Sequence, residues 1–449
     1  MMDTKEMVDE LFSRAFLCAG KEGADAVRLS LNTNYLELAG VRNGKIDKLK
    51  TALDRSLQLC LFVDGRYGTF STNCTEKGPL EDFIKHSVSM VRMLEKDPFR
   101  TLPKAERLAR DARDGKEAGL WDPSWTNALE KLRGLALESC LWERKSLIEK
   151  GFRLVSEEGE LSANSCVNYV RDSNGLDVCH MESSYESGFE VTLETPDGAL
   201  YEDYWWDSSP RLDAFLNSVS GISTEAVRRA AAQIGPKSCP GGLYNMVVDC
   251  ECAPRLLSPI LNAINGISIQ QKNSFLLDSL GEKLFPESLT IMDEPRVYGA
   301  TGAKFFDSEG VATYTLPIIE KGVLKNYYIN SYISGKTGLA PTVDSWTRPV
   351  LKPFGGCRTQ EELLERTGDG ILVTGFNGGN FNSATGDFSY GIEGFLFRDG
   401  ILVHPVREML ITGNLKSLWA SIEATADDAR PCNSKSIPSL AFSKVAFSA

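Results

Sequence analysis

Alternating apolar and polar residues occupy three stretches of the chain and predict β-strands there. The first, Ala24–Thr72, is divided by Asn43-Gly44 and Asp64-Gly65, two pairs that favour tight hairpin turns. The second stretch extends from Phe152 to about Asp207, and the third begins at Ser288 and contains repeated glycine turns. The pattern predicts antiparallel strands in the N-terminal part and a mostly-β C-terminal half.

Apolar residues at helical spacing predict helices between and beside these strands. Asp3-Thr4-Lys5-Glu6 resembles a capping box that opens a helix through Leu17. A second helix is expected after Pro79, with one apolar face. That face consists of Leu80, Phe83, Ile84, Val88, Val91 and Leu94. The other predicted helices are Leu129 to about Gly151, Thr224–Gly235, Pro254–Ala263 and Asn414–Ala424.

Together the elements predict an α+β protein: an N-terminal α/β domain with antiparallel strands and flanking helices, then a mostly-β C-terminal domain with two helices. We expect an N-terminal α+β domain at 1–98, a linker helix and strand-rich middle region at 99–238, and a β-rich domain at 239–449. Within the middle region, Pro98–Pro123 is predicted to be a linker. Its charged core, Pro103–Lys116, is expected to be solvated.

Composition narrows the class of protein. The 449 residues carry a formal charge of −12, and no run of Lys and Arg is long enough for a nucleic-acid interface, so nucleic acid is not an expected partner. No stretch is apolar enough to predict a membrane span, and the acidic N-terminus does not resemble a secretory signal. Eleven cysteines without disulfide spacing fit a reducing compartment, so we expect a cytoplasmic protein.

Ordinary catalytic motifs do not occur. His86, His180 and His404 are the only histidines, and their spacing does not indicate a shared metal. Cys250 and Cys252 form one close pair without a second, so we interpret them as ordinary thiols. There is no Walker sequence, no GxSxG and no GxGxxG after a strand.

Several segments, in order, resemble the TldD/PmbA family over nearly the whole chain. They include LFVDGRYGTFSTN (Leu61–Asn73), Glu225–Asp249, NSFLLDSLGEKL (Asn273–Leu284), Phe305–Leu339 and Thr385–Leu415. No single segment is diagnostic, but their shared order is specific. In this family the TldD-like branch is similar to zinc metallopeptidases that carry HExxxH on the helix before the SFLLDSLGEKL-type segment. Two histidines one turn apart would bind the metal, and the glutamate would act as general base.

This sequence departs from that pattern at the metal helix. No histidine occurs from Cys239 through Val403. The positions where ligands and base would stand hold Ser258, Pro259, Asn262 and Ala263. Cys432 lies near where the family places a further metal-binding cysteine, but one thiol cannot build a metal site. We therefore expect no catalytic residue, no metal ligand and no cofactor in this chain.

The resemblance is accordingly to the PmbA or TldE branch. It implies a noncatalytic subunit that pairs with a TldD-like, zinc-containing metallopeptidase, or a homodimer. Such complexes degrade unfolded or short peptides and mature microcin-type peptides, and an older family name is modulator of DNA gyrase. Two alternatives stay open: an independent homodimeric metallopeptidase with an unrecognised metal site, and a regulatory binding protein for gyrase.

A glycine- and asparagine-rich stretch, Thr374–Phe395, lies within one of the family segments. Its Asn-Gly-Gly and Thr-Gly-Asp pieces favour tight turns, and a strand is predicted from about Asp387. By resemblance the stretch borders the proteolytic chamber. Asn382, Thr385 and Asp387 are therefore candidate contacts to a peptide or a partner, although turn formation alone would also explain them.

Overall fold

The computed structural model describes residues 4–122, 124, 129–142 and 151–449. Its helices are α1 (Lys5–Lys21), α2 (Lys77–Val91), α3 (Leu129–Ser139), α4 (Leu212–Ser218), α5 (Ile222–Ala232), α6 (Ala253–Ala263), α7 (Gly266–Gln270), α8 (Ser331–Thr337), α9 (Gln360–Thr367) and α10 (Leu415–Ala420). The N-terminal strands are β1 (Ala26–Arg42), β2 (Lys45–Val63), β3 (Arg66–Thr72), β4 (Arg153–Asp172), β5 (Asp177–Glu194) and β6 (Leu200–Ser209). The C-terminal strands are β7 (Gly242–Val248), β8 (Ile291–Asp293), β9 (Leu316–Glu320), β10 (Val323–Leu324), β11 (Pro349–Leu351), β12 (Gly370–Phe381), β13 (Asp387–Arg398), β14 (Ile401–Asn414), β15 (Ile422–Thr425) and β16 (Leu440–Ser448).

The first six strands form one antiparallel sheet in the order β3-β2-β1-β4-β5-β6. β1 and β4 are central neighbours, paired from Arg28 opposite Asp172 to Arg42 opposite Glu158. The segments that we predicted as 1–98 and 99–238 therefore contribute to a single sheet. The two blocks of alternation are separated by about 80 residues in the sequence, which hides this long-range pairing.

Local signals at the N-terminus behave as predicted. The Thr4 hydroxyl accepts a hydrogen bond from the Met7 amide at 3.4 Å and caps α1, while Asp3 lies outside the described residues. The turn at Asn43-Gly44 joins β1 to β2, and both residues have positive φ (49° and 72°). That geometry is the type I′ hairpin for which Asn-Gly is suited.

The two faces of the N-terminal sheet differ in polarity. On one face, Val27, Leu29 and Leu31 pack against α1 and α2. α2 buries four of the predicted residues, whereas Leu94 lies beyond the end of the helix and is 47% exposed. On the other face, Arg28 lies beside Cys60 in the register of the sheet. This second, polar face lies toward the C-terminal domain.

Residues 98–122 belong to the segment that we predicted to be a solvated linker, but several of them are buried. Leu108, Ala109 and Ala112 are buried between the N-terminal sheet and Phe306. The backbone is tied to both sides: the Ala109 amide donates to the Gly310 carbonyl at 2.9 Å, and the Ala112 carbonyl accepts from β5. Its few apolar residues follow neither helical nor strand spacing, so periodicity could not reveal their burial.

α3 matches the start of the helix predicted from Leu129 and ends at Ser139. Leu132 and Ala136 are buried, and Leu147 lies outside the described residues. α5 similarly matches the helix predicted at Thr224–Gly235.

The C-terminal domain is built around a closed ring of strands. β14, β13, β12, β7 and β16 are neighbours in that order, and β16 also pairs with β14. Closure pairs the edge strands of the ring with each other. A small sheet, β10-β9-β8-β11, packs beside the ring.

The helix count was too low: five helices, α6 to α10, occur in the described part of the C-terminal domain, where two were predicted. The short ones were missed because fewer than nine residues give little periodic signal. The predicted helix Asn414–Ala424 is helical only to Ala420 and then becomes β15.

The mixture of helices and antiparallel sheets, with a mostly-β C-terminal domain, confirms the predicted α+β class. Across the described residues, no helix has both the length and the apolar character needed to cross a bilayer.

Candidate functional site at helix α6

Helix α6 occupies the place where the family's metal helix was expected. Pro254 lies in its first turn, where a missing N–H is tolerated. Most of its side chains are buried in the C-terminal core: Ala253, Leu256, Leu257, Pro259, Ile260, Leu261 and Ala263. Arg255, Ser258 and Asn262 remain as a polar stripe along one side, because positions three and four apart share a face.

The four positions predicted to replace metal ligands have different surroundings. Pro259 and Ala263 are packed in the apolar core, so the structure does not bring them to a polar site. Asn262 is exposed. Ser258 is half-buried, and its hydroxyl donates to the Pro254 carbonyl at 3.0 Å. Only Ser258 contacts other polar side chains of the site.

Lys435 supplies a positive charge to this side of α6. Its Nζ donates to the Ser258 hydroxyl oxygen at 2.7 Å and lies 4.9 Å from the centre of the Trp346 ring. Burial lowers the pKa of the lysine, since water is removed from the ammonium group. The ammonium fixes the loop that follows Cys432 against α6.

Arg430 anchors the same loop to the N-terminal sheet. Its guanidinium forms an ion pair with Glu251, donates to the Trp206 carbonyl, and lies 3.7 Å from a carboxylate oxygen of Asp207. It also stacks on Trp205, 4.2 Å from the ring centre. The arginine therefore connects the last strand of one sheet to the start of α6.

Glu251 is shared between Arg430 and a tryptophan. Its other carboxylate oxygen accepts a hydrogen bond from the Trp206 indole at 2.7 Å. Only 12% of the Glu251 side chain and 11% of the Arg430 side chain are exposed, so solvent screens this ion pair weakly. Sequence reasoning missed both residues. The only sequence signals of this cluster were the Trp205-Trp206 pair and the position of Arg430, two residues before Cys432.

Cys432 lies beside this cluster and is buried, 6% exposed. Burial raises the pKa of its thiol to about 12, more than Arg430 lowers it. Cys250 and Cys252 also have pKa values raised chiefly by burial. These thiols stay protonated at neutral pH and are therefore poor nucleophiles. All eleven cysteines, each in the described part of the chain, are unpaired.

The donor set around α6 does not fit zinc. A zinc site needs three or four donors such as thiolate, imidazole or carboxylate, whereas α6 offers a hydroxyl, an amide and a neighbouring ammonium. Over the described residues, no group of three His, Cys, Asp or Glu side chains is arranged to hold a metal. We therefore derive no metal-dependent step in this chain.

The three histidines lie on separate elements: α2, β5 and β14. The His86 ring contacts the Asp82 carbonyl at 2.7 Å within its own helix. His180 lies 3.2 Å from a carboxylate oxygen of Glu182 on its own strand. The structure does not bring them together.

The glycine-rich stretch forms the end of β12, a turn and the start of β13 at Asp387. The start of β13 is as predicted, but Asn377-Gly378-Gly379 forms a bulge within β12 and not the tight turn that we expected there. Asn382 accepts hydrogen bonds from the amides of Ala384 and Thr385 at 3.0 and 3.3 Å. Thr385 donates to Asp387 at 2.6 Å, and this bond together with one from Asn414 lowers the pKa of that carboxyl. The three candidate residues thus build the turn, and all three remain exposed.

The part of β12 that precedes the turn contacts α6. Arg255 on α6 donates to the carbonyls of Phe376 and Gly378 in the glycine-rich part of β12, at 2.6 and 3.4 Å. Gly378 has φ of 66°, a conformation that glycine adopts without strain. Carbonyls released from the ladder at this bulge are therefore available to the arginine.

Comparison with known proteins identifies the architecture. A family model described as the PmbA/TldA metallopeptidase C-terminal domain matches residues 241–449. Metalloprotease PmbA of Escherichia coli O157:H7 is 26% identical over 428 residues, which cover 94% of this chain and 92% of that protein. Metalloprotease MJ0996 of Methanocaldococcus jannaschii is 22% identical over 440 residues, 91% of each chain.

Two solved structures extend the likeness over the entire chain. A crystal structure from Bacteroides thetaiotaomicron, described as a modulator of DNA gyrase, is 37% identical, covers 100% of both chains and has a TM-score of 0.91. TldE of Thermococcus kodakarensis, 19% identical, covers 98% of this chain and 100% of its own with a TM-score of 0.82, which shows a shared fold. The chain therefore belongs to the PmbA/TldE family.

Proposed function

We propose that this chain is the noncatalytic subunit of a two-component metallopeptidase of the TldD/TldE type. The observation that carries the proposal is α6: at the metal-helix position two candidate residues are core residues and a third, Ser258, binds the Lys435 ammonium. A fixed cation there repels a second cation. The catalytic zinc would belong to a TldD-like partner.

The names of the relatives support the peptidase part of the proposal. The relatives from Escherichia coli and Methanocaldococcus jannaschii are named metalloproteases, and a structural neighbour is named TldE. The division of labour between two subunits is our inference from the family resemblance and from the donor set around α6.

In this proposal the chain shapes the chamber and orients extended, unfolded or short peptides. Arg255, Ser258 and Asn262 offer charge and hydrogen bonds along one side of α6. The exposed turn that contains Thr385 and Asp387 offers further acceptors. Contacts to the main chain of a peptide would give the loose sequence preference expected of such an enzyme. Degradation of peptides and maturation of microcin-type peptides, in the cytoplasm, are the proposed roles.

Co-expression with a TldD-like protein from the same organism tests this proposal. We expect the two chains to co-purify as a heterodimer with peptidase activity. The activity should be lost when the partner's HExxxH glutamate is changed to glutamine. The activity should persist in an Arg255→Met variant of this chain, but with a higher KM for peptides. Co-purification that fails, with partner activity independent of this chain, would contradict the proposal.

Two other experimental outcomes would favour the two alternative functions. A homodimer that hydrolyses peptides alone and retains about one metal per chain would indicate an independent metallopeptidase. Specific capture of DNA gyrase by the isolated chain would instead favour a regulatory binding protein, the role that the name of the Bacteroides thetaiotaomicron structure suggests for that protein.

A further inference from the structure

Two adjoining hollows lie between the polar face of the N-terminal sheet and the C-terminal domain. Their volumes are about 260 and 360 Å³, and they share four lining residues: Arg28, Gln58, Cys60 and Ser308. We call them together the interdomain cavity. Its floor is formed by β1, β2 and β4, and part of its wall is the loop Lys304–Glu309. Ligand sites frequently lie at such domain contacts.

Arg28 lines both hollows with an incompletely bonded guanidinium. Its Nη2 lies 3.5 Å from Asp172 Oδ2, without hydrogen-bond geometry, and its Nη1 donates to the Ser308 carbonyl at a long 3.5 Å. Nε and Nη2 are buried and have no hydrogen-bond acceptor in the described residues. Only 11% of the side chain is exposed. Asp172 supplies a neighbouring negative charge, but two nitrogen atoms of the guanidinium still lack acceptors. Buried donors without acceptors are costly, so ligand oxygens would satisfy groups that the fold leaves unbonded.

Two further cations line the cavity and form no ion pair among the described residues. The hydrogen bond with His180 and, to a smaller extent, the charge of Lys304 lower the pKa of Glu182, but Lys304 and Glu182 do not form an ion pair. The Arg100 guanidinium lies over two aromatic rings, 3.5 Å from the Tyr332 ring centre and 4.9 Å from the Tyr67 ring centre. Such contacts hold the guanidinium in place but leave its N–H groups, which lie in the guanidinium plane, able to donate.

The acids that line the cavity are already bonded to the backbone. Asp307 accepts from the amides of Glu309, Val311 and Asp344 at 2.9 to 3.0 Å. Burial, with the nearby charges of Asp344 and Glu309, raises the pKa of Asp307 to about 7. Glu309 itself accepts from the Ser331 amide at 2.8 Å. The cavity therefore contains one buried arginine–aspartate pair with incomplete hydrogen bonding, two cations without an ion pair among the described residues, and acids that accept hydrogen bonds from the backbone.

We propose that the interdomain cavity binds a small organic molecule through an oxyanion, either a carboxylate or a phosphate group. Arg28 offers a planar pair of N–H donors for two oxygens, and Lys304 adds a second charge. Gln58 and Asn168 offer amide groups for the rest of the molecule. The ligand would contact the sheet and the loop Lys304–Glu309 at once, and so hold the two domains in one arrangement. This proposal does not depend on the proposed peptidase role.

Thermal unfolding of the full chain with two probes tests the proposal. Sodium succinate and inorganic phosphate are titrated separately at constant ionic strength, balanced with sodium chloride. Binding to the folded state raises the Tm in a saturable manner. A rise with succinate alone identifies a carboxylate ligand, a rise with phosphate alone identifies a phosphate, and a rise with both identifies a general oxyanion site.

Matched variants separate this site from general salt effects. Lys304→Met should weaken the apparent Kd about tenfold, the scale of one charged hydrogen bond. Arg28→Lys keeps a cation beside Asp172, so the fold is retained, but it loses the planar fork and should weaken the Kd similarly. Lys50→Met, an exposed lysine on β2 outside the cavity, should leave the Kd unchanged. No saturable rise with either probe, or a rise of equal size in both cavity variants, would overturn the proposal.

Discussion

The C-terminal ring and the contact between the two domains are held together by different physical means. Around α6 the ring is packed with aliphatic and aromatic side chains, among which Ile260 and Trp419 are completely buried. The domain contact instead contains buried charges: Arg430 with Glu251, and Arg28 with Asp172. Apolar packing stabilises the fold through non-directional contacts. Charge pairs instead fix the relative positions of the groups that they join, and they respond to pH.

This difference indicates in which part of the molecule functional groups can be expected. α6 and its core retain the fold of the family, although the positions at which we expected metal ligands from the resemblance hold side chains that do not suit a metal. The polar residues with uncommitted groups, such as Arg255 and Arg28, lie at the margins of the core.

The largest effect is expected in the ring core. Ile260→Ala removes a fully buried side chain from α6 and leaves a cavity, so we expect the free energy of unfolding to fall by about 3 to 4 kcal/mol. Asn262→Ala, two positions away and exposed, is the control and should change it by less than about 0.5 kcal/mol. Urea denaturation followed by circular dichroism measures both. Equal losses would show that α6 is not packed as described.

The next effect concerns the ion pair at the domain contact. Arg430→Met leaves the Glu251 carboxylate poorly solvated and without its cation, and should cost about 3 kcal/mol. Arg211→Met breaks an exposed pair with Asp213 and should cost less than about 0.5 kcal/mol.

The double variant Arg430→Met, Glu251→Gln should recover part of the loss, because the buried charge is removed as well. A double variant no more stable than Arg430→Met would exclude an uncompensated Glu251 charge as the cause.

A pH dependence is expected from Asp307 in the interdomain cavity. Its pKa is raised from 3.8 to about 7 in the folded state, so between pH 4 and 7 the folded protein holds a proton that the unfolded chain has released. Stability from this group therefore falls as pH rises through that window, and the loss is complete above about pH 7.

Asp307→Asn cannot ionise and keeps an oxygen acceptor for the loop amides. Relative to the wild type, its free energy of unfolding should increase from pH 5 to pH 8. Parallel stability curves for the two proteins over this range would show that Asp307 ionises normally.

The smallest effect on stability is expected at the exposed turn. Thr385→Val removes the hydrogen bond to Asp387 but buries nothing, so the Tm should shift less than in any variant above. If the turn contacts peptide as proposed, the KM of the assembled complex for peptides should nevertheless rise. An unchanged KM would leave the turn with a structural role only.

Local chemistry predicted much of the fold. Asn43-Gly44 and the alternation on either side of it were enough to place β1 and β2, and the order of the predicted helices and strands indicated the α+β class. The pairing of β1 with β4 was not predictable, because it joins segments far apart in sequence and depends on tertiary contacts. The burial of Leu108 was missed for a related reason, because a segment that is packed from both sides need not have apolar residues at regular spacing.

The candidate site was predicted by what α6 lacks rather than by what surrounds it. Ser258 and Cys432 were found from the family's spacing. Arg430 and Lys435 were not, because a cation that contacts a helix from a distant loop has no sequence pattern. The residues that give the site its charge therefore became visible only in three dimensions.

The most direct test of the central claim is one peptidase assay on purified proteins, made with this chain alone, a TldD-like partner alone, and the two combined. We expect no hydrolysis by this chain alone. The combined chains should hydrolyse an unstructured peptide in a chelator-sensitive reaction, at a higher rate than the partner alone. Chelator-sensitive hydrolysis by this chain alone, at the rate of the combined proteins, would contradict it.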